Sequence, residues 1–175
     1  RSILDSRSRH RMKIPMEEYK NGHILVSETA KNLADAGVKV NMGAHGQLQG
    51  LGAHWETWML AAGGMSNMEA LKAATINAAQ YIGAGEDIGS LKVGKMADLI
   101  VLNDNPLDNI ENTENIEMVM VNGRLYDAET MNEIGNRTKE RLPFWWEQNK
   151  YNQSFPWHAE TQSFLDGGCG CQSGH

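Results

Sequence analysis

His45 stands in a glycine-punctuated loop, Gly43-Ala-His-Gly-Gln-Leu-Gln-Gly-Leu-Gly52, directly behind the short β-branched run Val38 to Met42. An imidazole there can ligate a metal, accept a proton or touch a substrate. In parallel α/β folds the loops behind the carboxyl ends of strands converge on ligands. The plainer alternative is a polar loop residue of no catalytic consequence. Gln47 shares the loop and is a candidate substrate-loop contact. Further on, His54 and Glu56 flank Trp55, with Trp58 close behind. His54 can orient a neighbouring ligand. Glu56, read in the first turn of a helix, is accounted for by the helix dipole alone. At the far end, Cys169-Gly-Cys171 with His175, and His158 upstream, offers thiolates and imidazole to a soft metal. Two cysteines so close neither complete a tetrahedral site nor bridge without strain, so a flexible tail from Asp166 is the simpler reading. No His-Glu-x-x-His pair, Walker A loop, Gly-x-Ser-x-Gly elbow or dinucleotide fingerprint occurs.

The elements that must position these residues are legible from period and punctuation. Residues 1–22 are polar and broken by Pro15 and Gly22, which predicts an irregular lead-in. Ile24, Leu25, Ala30, Leu33 and Ala34 suit a helix from His23 to Ala36, with Gly37 placed to end it. Val38 to Met42 reads as a strand. A second helix is predicted from Ala53 to Ala62, stopped by Gly63-Gly64. A third starts at Ser66, where Ser66-Asn-Met-Glu69 forms a capping box, and carries its apolar stripe to Ala79. After Tyr81 the pattern changes. Strands are predicted at Ala97 to Leu102, Glu117 to Asn122 and Arg124 to Tyr126, with Asn122-Gly123 a type I′ hairpin signal. An α/β part is therefore joined to an antiparallel β module. From Gly135 the chain turns polar and carries the aromatic cluster Phe144-Trp-Trp146, which reads as packing rather than a substrate platform.

The chain has 175 residues, 41% of them hydrophobic, with 18 glycines and 4 prolines. That is a globular mixture, which argues against disorder and excludes collagen. A net charge of −6, with one short basic patch at Arg7, Arg9, His10, Arg11 and Lys13, makes a poor grip for nucleic acid or anionic lipid. No apolar run approaches the roughly 20 residues that span a bilayer. Two cysteines in total are not a disulfide framework.

A longer pattern runs through these pieces: Val38-Lys-Val-Asn-Met-Gly-Ala-His45, His54-Trp-Glu56, Thr75-Ile-Asn-Ala-Ala79, Gly89-Ser-Leu-Lys-Val-Gly-Lys-Met-Ala-Asp-Leu99 and Val121-Asn-Gly-Arg124. It resembles the C-terminal part of the amidohydrolase superfamily, nearest the imidazolonepropionase-like group and its branch often fused to a Tol-type β-propeller. The resemblance implies an α/β fold, the C-terminal strand–helix units of a (β/α)8 hydrolase barrel plus strands of its small β-sandwich. On that basis residues 23–82 are the last barrel units, 83–134 the sandwich portion and 135–175 a polar, aromatic tail. It also implies a divalent metal, zinc by habit of the family, and hydrolysis of carbon–nitrogen bonds. The family's ligands are a His-x-His on the first strand, lysine or glutamate on the fourth, histidines on the fifth and sixth, and an aspartate after the eighth. No His-x-His occurs in this chain, and His45 occupies the aspartate's position. The resemblance therefore makes His45 the catalytic residue and metal ligand, with His54, Glu56 and Gln47 in support.

Eight strand–helix units take about 250 residues, more than the 175 here. The expectation is a piece of an enzyme, inactive until joined to the remainder of its barrel. The alternative is a non-catalytic β-sandwich and half-barrel module that associates with another chain or a second copy through its open edge. An upstream reading frame encoding the missing ligand strands separates the two. Relatives fused to propellers imply export to the periplasm in bacteria.

Overall fold

The computed structural model describes residues 16–44, 49–144 and 147–148, in two compact units, Arg1–Thr138 and Lys139–His175. The first unit opens on helix α1, Met16–Asp35. Residues 16–22, expected in an irregular lead-in, are therefore helical, and residues 1–15 lie outside the described residues. One exposed glycine inside the helix, Gly22, costs only about 1 kcal/mol. Gly37 ends α1 at φ 89° as expected. Helix α2, Leu51–Ala62, follows the loop and starts two residues earlier than predicted. It closes on Gly63-Gly64: Gly64 at φ 103° donates to Ala61 O at 2.9 Å, and Met65 N reaches back to Leu60 O at 3.2 Å. This double bond pattern caps orphan carbonyls and folds Met65 onto Leu60, both buried.

The expected third helix is two. Helix α3, Asn67–Ala74, carries the predicted capping box: Glu69 N donates to Ser66 Oγ at 3.3 Å and Ser66 N to Glu69 Oε2 at 2.7 Å. Helix α4, Ile76–Tyr81, begins after a break at Thr75, whose φ of −130° and ψ of −96° leave the helical region. The core cluster of this part is Leu60, Met65, Ala70 and Ala73, with Ala30, Ala34, Val40, Ala61 and Ile110 packed against it. Small residues let the helices approach closely. A Cβ built on Gly63 would lie 2.3 Å from the backbone and Cβ of Ser27, so α1 and α2 touch there with no room for a methyl.

The antiparallel module is a four-stranded sheet in the order β1-β2-β3-β4, formed by Leu99–Leu102, Ile116–Val121, Arg124–Asp127 and Glu133–Ile134. The predicted hairpin is present, with Asn122 at φ 50° and Gly123 at φ 75° and Val121 paired with Arg124. The short strand β4 and a 3-10 helix, Ile110–Glu114, were not predicted. Asn109, whose side chain accepts from Glu111 N at 3.2 Å, is the start signal of that helix. Glu133 explains β4: buried, it holds Arg124 in a two-pronged pair, Nε to Oε1 at 2.9 Å and Nη2 to Oε2 at 2.6 Å. That carboxylate holds the Arg124 guanidinium above its already high range.

The run from Gly89 to Leu99 holds the helices and the sheet together. A Cβ on Gly89, at φ 83°, would stand 2.6 Å from Ala79 Cβ and 3.0 Å from Ile76 Cα, so this turn is seated on α4. Lys95 Nζ donates to the carbonyls of Gly85 and Ile88, tying the turn back on itself. Asp98 Oδ1 accepts from Asn122 N at 2.6 Å, and Ala97 O accepts from Gly123 N at 3.1 Å, so the start of β1 braces the hairpin tip.

In the second unit Arg141 pairs with both Glu147 oxygens at 2.7 Å, and its guanidinium lies 4.4 Å over the Phe144 ring. Trp145 and Trp146 lie outside the described residues.

Candidate functional site

The run Val38 to Met42, expected as a strand, forms no strand among the described residues. A strand needs a neighbour to share its ladder, and here the backbone groups go elsewhere. Asn77 Nδ2 donates to Val40 O at 3.2 Å and Met42 N donates to Ala73 O at 3.1 Å. Gly43 N donates to Glu56 Oε1 at 2.9 Å, across thirteen residues of sequence. Thr57 Oγ1 donates to Ala53 O at 2.9 Å and lies 3.7 Å from Met42 Sδ. The helices thus grip the end of this segment from one side, and Val40 joins the core they share. Asn41, between Val40 and Met42, has a buried Oδ1 with no hydrogen-bond partner among the described residues.

The segment ends at Ala44. His45 and Gln47, the predicted catalytic and loop residues, lie outside the described residues, as do His158, Cys169, Cys171 and His175. Of the supporting residues, Glu56 is brought to the segment's end and His54 is not seen to reach it. The His54 ring instead lies 6.4 Å from that of Trp58, on the same helix. Trp58 Nε1 in turn donates to Thr113 Oγ1 at 2.8 Å, linking α2 to the 3-10 helix that precedes β2. The dipole account of Glu56 is corrected: α2 starts at Leu51 and has no acidic residue in its first turn. Sequence reasoning missed Asn77 and Thr57 as supports, because a polar residue on an amphipathic helix gives no hint of which backbone group it will meet. Among the described residues no three His, Cys, Asp or Glu side chains converge as a metal site needs. The described residues therefore do not by themselves fit an ion.

The sequence model of the amidohydrolase family matches residues 15–126, more than half of the chain, and the chain belongs to that family. An imidazolonepropionase from Symbiobacterium thermophilum is 56% identical over 39 residues, 22% of this chain and 9% of the relative. A human protein named probable imidazolonepropionase is 44% identical over 66 residues, 35% of this chain and 16% of the relative. Among solved structures, a Xaa-Pro dipeptidase with methionine in its active site superposes with a TM-score of 0.54 at 32% identity. The match covers 59% of this chain and 26% of that one. The chain thus spans 9–16% of the length of these curated relatives. These likenesses bear out the resemblance read from the sequence. They support an α/β fold of amidohydrolase type, with its small antiparallel sheet beside helices. No helix among the described residues is long and apolar enough to cross a membrane.

Proposed function

We propose that this chain is the C-terminal portion of a metal-dependent amidohydrolase acting on a carbon–nitrogen bond of a small molecule, an amide, lactam or related group. The observation that carries the reading is the family match across residues 15–126. The relatives named for imidazolonepropionase and the dipeptidase neighbour support hydrolysis at such a bond. In this reading residues 38–44 are the last strand of the barrel, and the rest of the barrel, or another chain, supplies its neighbours.

The chemistry asked of this chain falls on His45. The imidazole accepts a proton as water adds to the carbonyl carbon, and returns it to the departing nitrogen as the C–N bond breaks. Gln47 and the glycines around it let the loop come close to the substrate. A bound divalent ion, zinc by family habit, would supply Lewis-acid activation. The His-x-His and the further ligands that the resemblance implies do not occur among the described residues, and would come from the rest of the barrel.

The test is steady-state hydrolysis by the complete polypeptide over a panel of N-acyl amino acids, dipeptides and lactams, with and without chelator. Turnover that chelator abolishes and zinc restores is the expected result. A complete, folded polypeptide that turns over none of them overturns the reading.

A further inference from the structure

At the end of the 38–42 segment away from Gly43, a cavity of about 220 Å³ opens between α1, the segment and α3. The hydrolytic reading asks nothing of it. Its walls are held by hydrogen bonds. Gly37, at φ 89°, turns the chain out of α1, and Val38 N donates back to Leu33 O at 3.0 Å. Two residues on, Asn77 of α4 donates through Nδ2 to Val40 O at 3.2 Å. The floor is apolar, made by Ala34, Val40, Met65 and Ala73 of the shared core. Drug-sized sites hold about 300–1,000 Å³, so this one suits a smaller molecule with an apolar body.

The rim carries both signs of charge: Lys39 and Lys72 stand on it, and so does Glu69. Lys39 Nζ donates to Gln80 Oε1 at 2.7 Å, a neutral acceptor that fixes the ammonium without cancelling its charge. Lys72 forms no ion pair among the described residues. Glu69 spends Oε2 on Ser66 N and Oγ, at 2.7 and 2.8 Å, which leaves Oε1 with Lys31 at 3.9 Å. Glu69 and Lys72 lie three residues apart on α3 and so are neighbours on one helix face. A lone carboxylic acid here would face Glu69 unpaired, and a lone amine would face two ammonium groups. A molecule carrying both charges beside an apolar body meets each group with its complement.

We propose that this cavity binds a free α-amino acid with an aliphatic side chain. Its carboxylate lies at Lys72 and Lys39, its ammonium at Glu69 Oε1, and its side chain over Val40 and Met65. Such a ligand joins the end of α1, the start of the 38–42 segment and α3. The site stands independently of the proposed hydrolysis.

The experiment titrates L-leucine into the complete polypeptide with isotope-labelled valine and methionine methyls, read by NMR. Saturable shifts are expected at Val38, Val40 and Met65, with the exposed Met131, before β4, unmoved. Isocaproate lacks the ammonium, isoamylamine the carboxylate and glycine the apolar body. Each should bind about tenfold more weakly or worse, the cost of one hydrogen bond to a charged group or of the apolar contact. Lys72→Gln and Glu69→Gln should weaken leucine by a similar factor; glutamine at position 69 keeps the capping acceptor, so the fold is retained. No shift at the cavity methyls of the folded protein overturns the site. Shifts as large at Met131 show non-specific contact and overturn it too. Isocaproate or isoamylamine binding as tightly as leucine overturns the need for both charges. Unweakened binding in both variants overturns the roles given to the rim. Where a variant does not fold, the analogue series on the wild-type protein decides.

Discussion

At the scale of single residues, two positions carry opposite expectations. His45 is asked for chemistry and little packing, so in the complete polypeptide His45→Ala should lower kcat by about 100-fold or more if it is the general base. His54→Ala should do less, since its ring lies against Trp58 rather than at the end of the 38–44 segment. Steady-state kinetics and metal content of both variants check this; unchanged kcat and metal in His45→Ala would leave the loop as scaffold. Gly63 is the reverse case. Its missing side chain is what allows α1 and α2 to meet at 2.3 Å from a would-be Cβ, and the obstacle is backbone, which cannot rotate away. Gly63→Ala should therefore destabilise by about 1–3 kcal/mol, the usual cost of overpacking, without touching the site. A urea titration measures it, and an unshifted midpoint would contradict the close packing.

Among elements, α3 is the one whose stability depends on a titrating cap. The bonds from Ser66, backbone first and hydroxyl second, hold the Glu69 carboxyl below its usual range. A depressed carboxyl stabilises the folded state above its unfolded value, about 4.3, and that gain is lost as pH falls through the folded value. Ser66→Ala should cost about 1 kcal/mol near neutral pH. It should also flatten the pH dependence below about pH 4, where the cap is already losing its charge. Helical signal against pH for both proteins shows it. This cap was legible because serine, glutamate and their spacing are local. So were the two glycine stops and the Asn122-Gly123 turn, each set by a handful of neighbouring torsions. Residues 38–42 were read as a strand from β-branched character, yet a ladder depends on a neighbour the local sequence does not contain. Strand β4 escaped notice because two residues carry no period; it exists through Glu133 reaching across to Arg124. Glu56 reads as a first-turn residue accounted for by the helix dipole, yet it lies in the second turn and its partner is a backbone amide thirteen positions away.

On the scale of the whole molecule, the described residues bring together too few donors for an ion, where a catalytic zinc takes three protein ligands. The 175-residue chain alone is therefore expected to show no metal-stimulated hydrolysis of amides or lactams. Activity that chelator abolishes, measured on this chain by itself, would refute that expectation. On the proposed reading, mixing it with a segment that carries the other barrel strands should give turnover that chelator abolishes. Family and fold type were readable from motifs distributed between Val38 and Arg124. The geometry of the loop behind Gly43 was not, because a motif alone does not say where an imidazole points.

The brace at the hairpin tip bears on how this protein ages. An asparagine followed by glycine is the pairing most prone to spontaneous deamidation, because the glycine nitrogen can attack the asparagine side-chain amide and close a succinimide ring. Here that nitrogen is occupied: Gly123 N–H is given to Ala97 O, and the neighbouring Asn122 N–H to Asp98. Both torsions are also held at positive φ by the turn. Asn122 should thus convert more slowly in the folded protein than in a peptide of the same sequence. Asp98→Ala should shorten its lifetime on storage, seen as a gain of one mass unit on the peptide containing Asn122.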